Sequence, residues 1–248
     1  MALEKPRERK KQCLFLIEGK KEISLALQAA YKIGNIFFCE ELISVQEVKS
    51  MKIDDKVLIP VSREVFDRLA RRENSGGIMA VAEHKVHGLP QINLRKNPLV
   101  LVLESVEKPG NLGAILRTAD AAGIDAVIVC DPQTDFYNPN VIRSSLGCVF
   151  TCQIASATTD ETITWLVKNN INIYCTYLRA SKPYHETDFT KPSAIIMGTE
   201  ATGLSNQWVN NSTGNIIIPM SGKIDSMNVS AATAVVVFEA KRQRQFQF

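Results

Sequence analysis

The sequence predicts an α/β protein in two parts: a small α/β unit, then a larger one built on a mostly parallel sheet with helices on both faces. Two observations carry this expectation. Continuous Val/Ile/Leu runs such as Leu99-Val100-Leu101-Val102-Leu103 and Ile195-Ile196-Met197 lack the in/out alternation of a half-solvated sheet, so those strands are buried on both faces. These runs also alternate with helix-length segments, the pattern of parallel strands joined by crossover helices.

In the first part, strands are expected at 13–17, 35–39, 57–60 and 77–82, with helices at 20–31 and at 62–72, the latter capped by Ser62. Between 83 and 98 periodicity is lost and His84, His87, Gly88, Pro90 and Pro98 gather, which reads as a linker with both histidines in solvent. The expected division is therefore 1–85, a linker at 86–98, and 99–248. In the last part, strands are expected at 99–104, 126–130, 148–154, 171–178, 193–197 and 215–218. Helices are expected at 112–122, 138–145, 159–169, 204–211 and 228–244. The final helix carries alanine and valine on nearly every face, so it belongs inside the fold.

Composition narrows the class. The chain has 248 residues, 45% hydrophobic, with a formal net charge of +3, enough for a sizeable core and only mildly basic. The basic run Lys5-Pro6-Arg7-Glu8-Arg9-Lys10-Lys11 is either a solvated tail or exposed helix end, or a contact for a polyanion. Six cysteines lie mostly within apolar runs without a CxxC pair, the behaviour of small buried hydrophobes in a reducing compartment. No metal site is expected, and with no signal peptide and no apolar stretch near twenty residues the chain is expected in the cytoplasm, off the membrane.

Chemistry concentrates in three loops, each following an apolar strand and preceding a helix: 108–113, 198–205 and 219–228. Polar side chains backed by buried elements are costly unless they bind something, and in open α/β sheets ligands sit at the carboxyl ends of strands. Gly198-x4-Gly203-Leu204-Ser205 has P-loop spacing but Leu204 in place of the phosphate-binding lysine, and Glu200 would repel a phosphate. Gly110-x-x-Gly113 lacks the dinucleotide-binding spacing. His185 is the only histidine beyond the first unit and linker, which leaves no Ser-His-Asp set.

Taken together, Pro109-Gly110-Asn111-Leu112-Gly113-Ala114-Ile115-Leu116-Arg117, Gly198-Thr199-Glu200-Ala201-Thr202-Gly203-Leu204-Ser205 and Ile218-Pro219-Met220-Ser221-Gly222 with Ser226-Met227-Asn228-Val229-Ser230 resemble the three motifs of the SpoU (TrmH) family of RNA ribose 2′-O-methyltransferases. The resemblance covers about 99–244. Residues 12–82 are similar to the substrate-binding domain often found ahead of it.

The resemblance implies a deep trefoil knot, a homodimer formed through the knotted domain, and S-adenosylmethionine as cofactor, near Leu178, Gly198, Ile218, Met220, Met227, Asn228 and Val229. It also implies a site of Arg117, Asn111, Glu200, Ser226 and Asn228. Arginine effectively never deprotonates in proteins, so Arg117 is read as a cation that grips the neighbouring phosphate and stabilises the developing alkoxide. Asn111 and Asn228 would orient the ribose or the cofactor, Ser226 would support the third loop, and Glu200 would fix the second. Helix capping is the plainer alternative for Glu200 and Asn111, and a surface salt bridge for Arg117.

RNA contacts are expected from Arg7, Arg9, Lys10 and Lys11, with Lys20, Lys21, Arg71 and Arg72 as further candidates. Large-subunit ribosomal RNA is the expected substrate, and no DNA or membrane partner is expected. The alternatives are a tRNA substrate, a catalytically silent RNA-binding protein of the same fold, or a small-molecule α/β enzyme.

Overall fold

The computed structural model describes residues 2–70, 76–179, 181–199, 203–223 and 226–246. In chain order the elements are α1 (Pro6–Gln12), β1 (Leu14–Glu18), α2 (Lys20–Gln28), β2 (Ile33–Phe38), α3 (Val45–Ser50), β3 (Leu58–Pro60), α4 (Arg63–Leu69) and β4 (Ile78–Glu83). Then come β5 (Leu99–Glu104), α5 (Pro109–Ala122), β6 (Ala126–Cys130), α6 (Pro139–Ser144), β7 (Ile154–Ala157), α7 (Thr159–Lys168) and β8 (Asn172–Thr176). The chain continues with β9 (Lys182–Pro183), β10 (Ser193–Met197), α8 (Asn206–Asn210), β11 (Gly214–Ile217) and α9 (Val229–Gln243). They form two compact units, Met1–Val86 with Asp135–Thr151, and His87–Thr134 with Cys152–Phe248.

The first unit is a four-stranded sheet in the order β1-β4-β2-β3. β4 runs antiparallel to both β1 and β2, and β3 lies parallel to β2. Alternation along β1 sends Leu16 to one face, where it meets Cys39, Phe66 and Met79. Phe15 goes to the other face and into an aromatic cluster: its ring stacks on Tyr137 at 4.1 Å, edges Tyr31 at 5.9 Å and lies 6.1 Å from Phe150. Tyr137 Oη accepts from the Lys85 N–H at 2.9 Å and lies 3.3 Å from Tyr31 Oη. The segment Asp135–Thr151 therefore supplies part of this unit's core from the middle of the chain. Gly147 eases that docking. Its φ of +84° is unfavourable for other residues, and a Cβ there would lie 2.8 Å from Leu25 Cδ1.

Three expectations are corrected here. Arg9, in the basic N-terminal helix, is buried rather than presented to a polyanion, being 1% exposed. Its guanidinium donates to Asp135 at 2.5 Å, to Leu3 O at 2.9 Å and to Glu4 O at 2.7 Å. His84 is no solvated linker residue, since its ring stacks on Tyr137 at 4.4 Å and its Nε2 is buried. The strand expected at 148–154 is turn through Thr151, with β7 confined to Ile154–Ala157. Val149 and Phe150 are apolar because they enter the first unit's core.

The second unit is a seven-stranded sheet in the order β7-β6-β5-β10-β8-β11-β9, with every pair parallel. β5, β6 and β10 are buried at every position. Val100, Val102, Ile128, Ile173 and Ile196 pack under Ile163, Leu166 and Trp208 of α7 and α8, while α5 and α9 pack together and α9 also packs against β10. Residues 87–94, expected as linker, dock on this unit: Leu89, Ile92 and Leu94 lie against its core, and Ser156 N–H donates to His87 O. The buried Cys130 and Cys175 thiols are pushed up to about 12 by desolvation, so they stay protonated and inert. No helix among the described residues is long and apolar enough to cross a membrane.

Candidate active site

β5, β6 and β7 progress toward one edge of the sheet, and β10, β8 and β11 lie on the other side of β5. The strand order reverses there, and ligands of open parallel sheets bind at the carboxyl ends around such a point. At the carboxyl ends of β8, β10 and β11 lies a pocket of about 610 Å³, within the range of small-molecule sites.

Its floor is apolar, from Leu204, Ile216, Ile217 and Val236, and its walls come from Thr176–Arg179, from the loop after β10 and from Ser226, Met227 and Val229 ahead of and within α9. Leu178 is 61% exposed, and Met220 and Met227 are each 38% exposed, so three large apolar side chains stand around the pocket where a ligand would cover them.

The loop after β10 folds back on itself. Thr199 N–H donates to Gly203 O at 3.2 Å and Gly203 N–H returns a bond to Thr199 O at 3.1 Å. This return brings the Gly203 carbonyl carbon within 2.4 Å of where a Cβ of Gly198 would stand. Glycine at 198 is thus a steric requirement of the pocket wall. Glu104, at the end of β5, accepts from Ser205 N–H at 2.9 Å and ties the far end of the same loop to the sheet.

Asn228 caps α9: its Oδ1 accepts from Ser230 N–H at 3.0 Å and from Ser230 Oγ at 2.6 Å. Its Nδ2 donates to Asn111 Oδ1, in the first turn of α5, at 3.2 Å. The first and third motifs are thereby joined side chain to side chain.

Of the residues expected to hold the cofactor, Leu178, Gly198, Ile218, Met220, Met227 and Val229 line the pocket, as does Ser226, while Asn228 stands beside it as the cap. Arg117 is exposed on α5, outside the pocket lining, and makes no hydrogen bond or ion pair among the described residues. Six residues on from Asn111, it lies ~9 Å further along the helix and about a third of a turn around it. Glu200 lies outside the described residues, as do Arg71 and Arg72. Of the surface cations expected on the first unit, Arg7, Lys10 and Lys11 are exposed, and Lys20 pairs with Glu47 at 2.9 Å. Sequence reasoning missed Thr176, Tyr177 and Arg179 as lining; the polar end of an otherwise apolar strand was the available signal.

A pocket of small-molecule size at the carboxyl edge of a parallel sheet, walled by glycine loops and capped by paired asparagines, defines a ligand-binding α/β enzyme. The chain belongs to the SpoU rRNA methylase family, whose model matches residues 98–238, and residues 1–80 match the MRM3-like substrate binding domain. Among its relatives is the 23S rRNA (guanosine(2553)-2′-O)-methyltransferase RlmP of Bacillus subtilis, 28% identical over 95% of this chain and 91% of RlmP. A crystal structure of an RNA 2′-O ribose methyltransferase is 36% identical, with a TM-score of 0.85 over 98% of this chain and 93% of that one. An AdoMet-bound rRNA methyltransferase from Sinorhizobium meliloti is 29% identical, with a TM-score of 0.89 over 97% and 92%.

Proposed function

We propose that this protein is an S-adenosylmethionine-dependent methyltransferase that modifies a ribose 2′-oxygen in large-subunit ribosomal RNA. The observation that carries the reading is the meeting of the second and third motif loops around one pocket, with the first motif bonded to its edge through Asn111 and Asn228. The pocket fits the cofactor on its own features. Leu204, Ile216 and Val236 offer an apolar slot for a purine, and backbone at Gly198 and Gly203 approaches without side chains in the way. Bound there, the cofactor supplies an electrophilic methyl group on a sulfonium.

The chain's own contribution is alignment and charge. Asn111 and Asn228, each held by the other, give a fixed polar edge on which a ribose can be oriented. Arg117 offers a permanent cation to the phosphate next to the reacting ribose and to the alkoxide as its proton leaves to that phosphate or to water. Because Arg117 stands off the pocket of its own chain, we propose a homodimer in which it serves a pocket of the assembly. The deep trefoil knot, the role of Glu200 in fixing the second loop, and a cytoplasmic location belong to the same proposal. RNA would be gripped by shape and phosphate contacts through Arg7, Lys10 and Lys11.

The test is transfer of labelled methyl from S-adenosylmethionine to bacterial total RNA lacking the modification, with ribosomal particles as a second substrate. Label on a ribose 2′-oxygen of large-subunit RNA is the expected result. Label in tRNA alone overturns the substrate, and absence of incorporation from both free RNA and particles overturns the enzymatic reading.

A further inference from the structure

Among the described residues that line the 610 Å³ pocket, one is charged: Arg179. It follows β8, which ends at Thr176, and its backbone is held in place. The Ser181 hydroxyl is shared between Tyr177 O at 2.5 Å and Arg179 O at 2.9 Å, closing the turn that carries Arg179. Tyr177 N–H donates to Ile216 O at 3.0 Å and ties the start of that turn to β11. The side chain is exposed, and its guanidinium has no hydrogen-bond or ion-pair partner among the described residues. A cation on a fixed backbone at the wall of a small-molecule pocket is therefore available to a ligand.

The chemistry of the cofactor decides which of its groups can use that cation. S-adenosylmethionine carries two positive groups, the sulfonium and the ammonium, and one negative group, the carboxylate. Arginine stays charged at any working pH, so it repels the first two and attracts the third. Its planar fork also matches a carboxylate in bidentate fashion. The apolar floor at Leu204, Ile216 and Val236 suits the purine, which leaves the amino-acid end for the polar, solvated part of the pocket where an exposed arginine stands.

On the reading that S-adenosylmethionine is the cofactor, we infer that Arg179 binds the carboxylate of its amino-acid end. The same contact selects the cofactor over adenosine derivatives that lack a carboxylate. Arg179 thereby has a task separate from that of Arg117, which lies outside the pocket lining.

The experiment is calorimetry on the full chain with S-adenosylhomocysteine and with its decarboxylated analogue, which keeps the adenosine, the thioether and the amine. The proteins are the wild type, Arg179→Gln and Arg179→Lys. Affinity for S-adenosylhomocysteine should fall about tenfold in Arg179→Gln, the lower end for a hydrogen bond to a charged group because the side chain is exposed and screened. Arg179→Lys keeps the charge without the fork and should recover part of the loss. The analogue should bind the wild type more weakly than S-adenosylhomocysteine does. It should bind Arg179→Gln at least as tightly as the wild type, because its amine loses a like-charged neighbour. Without ligand, Arg179→Gln should melt with the wild type.

An arginine that merely shapes the wall would weaken both ligands by the same factor, and that result overturns the assignment. Unchanged affinity for S-adenosylhomocysteine in Arg179→Gln also overturns it; a smaller salt slope for RNA binding in that variant would then give Arg179 to an RNA phosphate. If the wild type binds neither ligand, the cofactor reading itself falls and takes this role of Arg179 with it.

Discussion

Replacing Gly198 with alanine isolates the steric demand of the pocket wall. An added Cβ would lie 2.4 Å from the Gly203 carbonyl carbon, 2.6 Å from its oxygen and 2.6 Å from Leu204 N. Carbon atoms pack comfortably at about 3.5 Å or more, so the returning strand of the loop has to retreat by about 1 Å. All three atoms are backbone, and no rotamer change can relieve the clash. Retreat strains the paired bonds between Thr199 and Gly203 and forfeits about half of the ~2 kcal/mol they contribute together, on top of about 1–3 kcal/mol for overpacking.

A loss of about 2–4 kcal/mol at a wall of the cofactor pocket corresponds to a ~30- to 1,000-fold fall in affinity. Calorimetry with S-adenosylmethionine measures it directly. Gly110→Ala is the comparison, because a Cβ there meets nothing within 4 Å, and it should bind the cofactor like the wild type. Affinity within threefold of wild type for Gly198→Ala, with an unchanged Tm, would refute the argument that this glycine shapes the pocket.

Asp135→Ala leaves the buried Arg9 guanidinium without its carboxylate. With Asp135 itself 36% exposed, the loss should be about 2–3 kcal/mol by urea unfolding, short of a fully buried pair. The double change Arg9→Met with Asp135→Leu should recover most of it, and no recovery would place the cost elsewhere. Burial holds the folded pKa of His84 below its ordinary value of 6.5, with Asp135 opposing and Arg9 assisting. The unfolded chain therefore binds the proton more readily, and stability is lost as pH falls through 6.5 toward the folded pKa. His84→Phe should flatten that loss in thermal melts between pH 7 and 5; an unaltered slope removes His84 as its source. Arg117→Ala should cut methyl transfer by about 10²- to 10³-fold, the scale of one stabilising donor, while cofactor affinity stays within threefold. Full turnover in that variant would remove Arg117 from the chemistry.

Much of the second unit can be read directly from the sequence, because its strands are long apolar runs whose burial needs no knowledge of distant partners. The polar loops after β10 and β11 were legible for the same reason, standing out against such surroundings. What escaped depended on residues far away in sequence. The run from Lys5 to Lys11 reads as a charged tail until Asp135, 126 positions from Arg9, is known to accept its guanidinium. Val149 and Phe150 read as strand because their apolarity shows while their destination does not. His84 reads as linker because ring stacking on Tyr137 leaves no trace in local composition. At the site, the sequence marks Asn111 and Asn228 in separate motifs, but their direct bond requires the chain to return α9 to α5.

The borrowed segment Asp135–Thr151 sets the order in which this protein can be completed during synthesis. When residue 86 has been made, the sheet of the first unit has all its strands but lacks Tyr137, Phe150 and the carboxylate that receives Arg9. Its core has to wait until β5, α5 and β6 have also been translated. A cut near residue 86 would therefore separate the sheet of this unit from Tyr137, Phe150 and the carboxylate of Asp135. An N-terminal fragment ending there should leave Phe15 without its stacking partner and Arg9 without its carboxylate.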